Sequence, residues 1–171
     1  TNYASGSPLE AKLGYSRMVK IGPFVYIGGT TSVQPDGKVA GADDSNAQDD
    51  FILEKEISLL EKAGAKASDI VKMKRYVKKV FLEQFDPDKT KVKFPKEQMA
   101  YSEAVIDKLT REAQLLETEL FAIVGCGGSE CLEEWGNIDF RKESVGKTKD
   151  GFAQAVKAGP FVYGSLVHCL D

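Results

Sequence analysis

Apolar and polar residues alternate over residues 15–20, and beyond Gly22-Pro23 an apolar run follows over 24–28. Alternation, a Gly-Pro turn and an apolar run predict two strands joined as a hairpin. In Gln34-Pro35-Asp36-Gly37-Lys38, proline and glycine stand where a tight reversal needs them, which predicts a turn. The period then changes. Leu53, Ile57 and Leu60 recur at helical spacing with Glu54, Lys55, Glu61 and Lys62 turned to water, predicting a helix over 47–63. Asp44 or Ser45 is placed to cap it and Gly64 to end it.

After Ser68-Asp69 the period returns to two. Val71, Met73 and Val77 alternate with Lys72, Lys74, Tyr76 and Lys78, so this strand has one buried and one exposed face. Its lysines read as a solvated sheet rim rather than a nucleic-acid patch. FLEQF predicts a short helix within 81–94, and Pro87, Pro95 and the lysines between them predict an exposed loop behind it. Strands over 99–106 and 115–124 follow. The order is β-β-(β)-α-β-α-β-β, an α+β domain whose mixed sheet carries two helices on one face. The other face needs cover, and self-association is a natural way to supply it.

A repeat changes the picture. GYSRMVKIGPFVY at 14–26 recurs as GFAQAVKAGPFVY at 151–163, with eight identities in thirteen positions and an offset of 137 residues. An offset of one small domain length points to duplication. Residues 1–125 therefore read as a complete domain. Residues 126–150, with two glycine clusters, Trp135 and mixed charges, read as a linker. Residues 151–171 read as the hairpin that starts an incomplete second copy. Two accounts of that copy stand: a gene or record that stops early, or a hairpin adding an edge strand to its own or a neighbour's sheet.

Composition removes several classes of function. With 42% hydrophobic residues a real core is available, and no apolar run approaches a membrane span or a signal peptide. The chain opens on Thr1 rather than Met, as a trimmed end does. Its 23 basic and 26 acidic residues give no general pull toward phosphate backbones, so a nucleic-acid partner is not expected. Cys126, Cys131 and Cys169 are an odd set, which suits a reducing cytoplasm. Cys126 and Cys131 with His168 and Cys169 can be assembled on paper into a zinc site. Their loose spacing favours free thiols and no metal.

Three segments in order resemble the signatures of the YjgF/YER/Rid family, often named endoribonuclease L-PSP: SPLEAKLGYSRMVKIGPFVYIGGTTSVQPDGKV, AGAKASDIVKMKRYV and LLETELFAIVG. They span almost the whole first domain, and VGKTKDGFAQAVKAGPFVYGS resembles the start of another member. The resemblance implies a chorismate-mutase-like fold. It also implies a homotrimer with sheets around an inner barrel, helices outside and a small cavity at each subunit interface. The activity implied is hydrolysis of reactive enamines and imines to keto acids and ammonia, without a cofactor. An imine carbon is already electrophilic, so the site has to position water and hold the substrate.

By the same resemblance, Tyr15 matches a tyrosine beside the pocket, Gly29 offers its backbone N–H, and Glu117 matches an acid that positions water. Gly28 stands where the family has a serine. Tyr101 stands where active members have an arginine that clamps a carboxylate. Gly-Thr-Thr after the second strand resembles the branch in which those residues replace Ser-Gly-Gln. Arg111 and Arg75 are the substitute cations, Arg75 being expected to pair with a sheet acid. Alternation puts Glu117 and Glu119 on one face of the last strand and Glu103 on the face of Tyr101. An acidic pocket with Glu103 and Glu117 would prefer a neutral or cationic ligand over a carboxylate. Tyr15 also reads as an ordinary half-buried packing residue.

Three functions are compatible with these residues. One is an enamine/imine deaminase or related small-molecule hydrolase with altered substrate preference. Another is a non-catalytic trimer that binds a small ligand. The third, an endoribonuclease or translation inhibitor, has only His168 to offer for general-base chemistry and an acidic balance against it.

Overall fold

The period-two segments pair into one mixed sheet with the long helix across it, in a computed structural model that describes residues 1–128 and 138–165. Strands β1 (Asn2–Tyr3), β2 (Met18–Ile21), β3 (Phe24–Thr30), β4 (Ile70–Val77), β5 (Ala100–Val105) and β6 (Leu116–Ile123) lie in the order β1-β2-β3-β6-β4-β5. Only β4 and β5 run parallel in this sheet, and a parallel pair needs a crossover. Helix α3 (Lys79–Gln84), a loop and a short 3-10 turn at Lys96–Gln98 provide it.

Helix α1 (Pro8–Leu13) precedes β2, and helix α2 (Ser45–Lys62) crosses the sheet. The Asp44 side chain accepts from Ala47 N at 2.9 Å, satisfying one of the first-turn donors of α2. Gly64 in the left-handed region lets Ala65 N return to Leu60 O at 2.9 Å, which stops the helix. Leu53, Leu59 and Leu60 then pack on Met18, Val25, Ile27, Met73 and Leu120. The buried stripe runs through Ile52, Leu53, Glu56, Leu59 and Leu60, so Glu56 is inside and Ile57 only half-buried.

α1 is absent from the sequence reading because six residues are too few to show a helical period. It moves Tyr15 out of the predicted strand into the connection before β2. The expected linker differs too: within its described part, Phe140 is buried and Lys142–Val145 forms β7. With β8 (Ala155–Ala158) and β9 (Phe161–Gly164) it makes a three-stranded antiparallel sheet. The two copies of the hairpin keep one register, Met18 opposite Ile27 and Ala155 opposite Gly164.

This second sheet packs on the face of the main sheet that turns away from α2. Phe140, Ala153, Val156 and Ala158 bury Val71, Ala100, Ile123 and Cys126. Phe24 meets Phe140 and Phe161 edge-on, with ring centroids 5.7 and 5.3 Å apart. The cover that the sequence reading assigned to self-association thus comes in part from the chain itself. Burial pushes the Cys126 thiol up to about 11, and its Sγ donates to Asp69 O at 3.2 Å, an arrangement that favours the thiol over the metal-binding thiolate. Cys131, Trp135, His168 and Cys169 lie outside the described residues. Among the described residues no group of three or more His, Cys, Asp or Glu could hold a metal, and no helix is long and apolar enough to cross a membrane.

Candidate functional site

Between Ile27 and Thr30 the pairing of β3 with β6 slips by a residue. Such a bulge inserts an extra residue and re-aims the backbone. Here it falls on Gly28 and Gly29. A Cβ at position 29 would overlap Glu117 Oε1, so glycine is needed for the carboxyl to lie against the strand. Replacing Gly29 by alanine should expel the Glu117 side chain while the fold persists. Circular dichroism would be unchanged, and any activity that depends on Glu117 should be lost.

Glu117 is half-buried on the face away from α2, with Glu119 two residues along on the same face. Burial raises its carboxyl above the ordinary range and the Glu119 charge adds to this, while Arg17 pulls the other way. Arg17 is held from several directions. Its Nε lies 3.2 Å from Glu10 Oε1, its Nη2 donates to Tyr15 OH at 2.8 Å, and its Nη1 donates to the Gly29 carbonyl. The guanidinium also sits 5.2 Å from the Tyr15 ring centroid. Burial works against ionisation of Glu10, but hydrogen bonds from Ser5 and the Arg17 pair outweigh it and keep the carboxyl below its usual range. Tyr15, Arg17, Gly28, Gly29 and Glu117 therefore gather at one place. Arg17 was missed from the sequence, where its signal was only a charged residue inside the repeated segment that the second copy replaces with Gln154.

Tyr101 and Glu103 lie elsewhere. β5 pairs with β4 so that Tyr101 is opposite Met73 and Glu103 opposite Arg75, on the face covered by α2. Arg75 in turn is opposite Thr118, and Thr118 opposite Thr30, so one polar row crosses four strands beneath the helix. The expected acidic pocket containing both Glu103 and Glu117 is not formed within one chain, because the sheet separates them. Arg75 pairs with Asp49 of α2 at 2.6 Å, a helix acid rather than the sheet acid expected. Arg111 is exposed beside the Gly37 turn.

A cavity of about 520 Å³ opens on this side between α2, α3, β4, β5 and the loop before Lys96. Two stacked aromatic pairs contribute to its walls: Phe81 with Phe85, centroids 4.8 Å apart, and Tyr101 with Phe152, 4.3 Å apart. Its polar residues include Arg75, Asp49 and Glu103. Tyr101 OH donates to Glu103, and burial followed by the Glu103 charge keeps the phenol protonated.

Glu56 lies in the same core, fully buried, with neither carboxyl oxygen hydrogen-bonded. The nearby Thr30 hydroxyl donates instead to Gly28 O at 2.9 Å. Burial raises the Glu56 carboxyl well above its ordinary value, so the folded chain keeps a proton that the unfolded chain releases. This stability is present below the ordinary glutamate pKa and is lost as pH rises toward the folded value. Glu56→Gln should flatten that decline and raise Tm at neutral pH, by roughly 2–4 °C for each ~1 kcal/mol recovered. Thermal melts of both proteins at acid and neutral pH check it, and a lower Tm for the variant at neutral pH would contradict it.

The sequence profile named endoribonuclease L-PSP matches residues 6–86. Among solved structures, Rv2704 of Mycobacterium tuberculosis, a member of the YjgF/YER057c/UK114 family, is 29% identical with a TM-score of 0.53. That match covers 72% of this chain and 98% of Rv2704. The YjgF gene product of E. coli is 26% identical, covering 72% of this chain and 97% of that one, with a TM-score of 0.53. The yeast protein YEO7 shares the fold at 18% identity, with 72% and 97% covered and a TM-score of 0.52. No curated protein matches the chain.

Proposed function

We propose, from the premise that this chain belongs to the YjgF/YER057c/UK114 (Rid) family, that its Glu117 face hydrolyses a small enamine or imine lacking a carboxylate. The observation that carries the proposal is the half-buried Glu117 carboxyl, seated against the glycine bulge with its pKa raised. A raised carboxylate pKa brings acid and base forms closer to balance near neutrality. Glu117 takes a proton from water as the water oxygen bonds to the imine carbon. It passes that proton to nitrogen to give the neutral carbinolamine. It then takes the carbinolamine hydroxyl proton and delivers it to nitrogen as the C–N bond breaks, so both water protons end on the departing ammonia and a carbonyl compound remains.

The preference against a carboxylate follows from the charges. By the family resemblance Tyr101 stands where active members carry an arginine, and β5 pairs so that Tyr101 lies on the far face of the sheet from Glu117. Arg17 directs an N–H to each of Glu10, Gly29 and Tyr15, and Lys74 Nζ lies 3.9 Å from Glu119. A substrate carboxylate would meet Glu117 and Glu119 with both of these cations already paired with acids. For the same reason a polyanionic RNA strand is disfavoured at this face.

The test is ammonia release from freshly generated 2-aminoacrylate and from imines with no carboxylate. Acceleration confined to the second group is expected. If the folded protein accelerates none of them over buffer, the hydrolase reading is wrong. A second reading, binding of a small ligand without turnover, is favoured by the cavity beneath α2. Its aromatic walls are suited to an apolar body, while Arg75 and Glu103 already have protein partners and leave no free acid-base pair. Ligand-observed NMR with benzamide and phenol would test that reading, with no saturation transfer counting against it.

A further inference from the structure

The two copies of the repeated segment share a backbone contact and differ in what a side chain adds to it. With the offset of 137, Glu10 corresponds to Lys147, Arg17 to Gln154 and Gly28 to Ser165. Gly28 N donates to Arg17 O at 2.9 Å, and Ser165 N donates to Gln154 O at 2.8 Å, so this contact belongs to the hairpin itself. The Gln154 side chain turns back along its own loop, with Nε2 3.5 Å from Lys147 O. Arg17 instead crosses to the glycine bulge, where Nη1 donates to the Gly29 carbonyl. Behind it stands Glu10, a buried carboxyl that also accepts from Ser5 N at 2.8 Å and from the Ser5 hydroxyl. Thr30 Oγ1 donates to Gly28 O at 2.9 Å. In the first copy, therefore, side chains hold both carbonyls of the bulge.

We propose that Arg17 is a positioning residue: anchored by Ser5 and Glu10, it latches the Gly28-Gly29 bulge and so fixes the seat of the Glu117 carboxyl. That seat has no slack. A Cβ at position 29 would overlap Glu117 Oε1, so a small turn of the Gly29 peptide is enough to displace the acid. A planar fork suits the task, because it reaches Glu10, Gly29 and Tyr15 at once while carrying a fixed charge. Arg17 also brings that charge near Glu117 without neutralising it, since no ion pair joins the two among the described residues. The other groups facing Glu117 are Glu119 on its own strand, Tyr76 opposite it on β4, Tyr15 beside Arg17, and Lys74, 3.9 Å from Glu119. The effect of the latch on turnover rests on the hydrolase reading, whereas the seating of Glu117 does not.

Two NMR measurements on the full chain test this: amide exchange of Gly28, and a carbon-13 titration of the Glu117 carboxyl, its signal assigned by loss in Glu117→Gln. Arg17→Met removes both latch and charge. Gly28 exchange should quicken ~10-fold, the scale of a lost hydrogen bond to a charged group, and Glu117 should titrate at higher pH than in wild type. Arg17→Lys keeps the charge but cannot hold Glu10 and Gly29 together, so exchange should quicken while the titration stays near wild type. Both variants should lower kcat on a responsive imine by ~10-fold or more with little change in KM, as displacement of a reacting group does. Arg17→Lys carries the test if Arg17→Met loses its fold by circular dichroism. Unchanged Gly28 exchange in the folded variants, or a Glu117 titration that Arg17→Met leaves in place, would overturn the proposal. If wild type hydrolyses no imine, the hydrolase reading falls, and exchange and titration still decide the latch.

Discussion

Glutamine at position 117 is expected to lower ammonia release from a responsive imine by ~10²-fold or more, the usual scale for loss of a positioned general base. In free energy that is about 2.7 kcal/mol of transition-state stabilisation. Glutamine keeps the shape that fits against Gly29 but cannot take a proton from water, so the fold should survive while turnover falls. The pH profile supplies an independent check. Burial and the Glu119 charge hold the Glu117 carboxyl above its ordinary range, so the acid limb of kcat/KM should lie above that of an exposed glutamate. Glu119→Gln removes the like charge and should move that limb to lower pH. A Glu117→Gln protein with an unchanged rate would remove Glu117 from the chemistry.

The largest effect on stability is expected at Arg75. Its guanidinium pairs with Asp49 at 2.6 Å, and both side chains are almost wholly buried. Deleting one partner of a buried pair leaves the other charge uncompensated and costs ~3–5 kcal/mol. Arg75→Met should therefore cost that much in urea unfolding, and roughly 6–20 °C in Tm at the sensitivity of a chain this size. Burial already raises the Asp49 carboxyl, against the pull of Arg75, so in the variant Asp49 should take up a proton at higher pH than in wild type. Adding Asp49→Leu removes the stranded carboxyl and should recover part of the loss. A loss below ~1 kcal/mol for Arg75→Met would mean that the pair is solvated in solution.

Local periodicity made much of this protein legible. The hairpin of β2 and β3, the helix α2 with its Asp44 cap, and the strands β4 and β6 all follow from which residues alternate and at what period. That Glu117 and Glu119 share a face needed only the pleat of one strand. The duplication was legible as well, since eight identities at a fixed offset are a property of the chain alone. The short elements β1, α1 and β7 were not, because, unlike the equally short β2, β8 and β9, they lie outside the repeated hairpin segment whose alternation and Gly-Pro turn mark strands.

Relations between strands belonged to the tertiary structure. Alternation assigns a residue to one of two faces within its own strand, but only the pairing of β5 with β4 and of β4 with β6 shows that Glu103 and Glu117 face opposite ways. Arg17 gains its place from Glu10, Gly29 and Tyr15, which converge on it only when α1 folds back beside the bulge. The docking of the second copy was likewise undetermined by its own sequence. The hairpin pattern specifies two strands and a turn, while the partner of an open strand edge is chosen by whichever surface reaches it, and here Phe152 and Ser165 reach Tyr101.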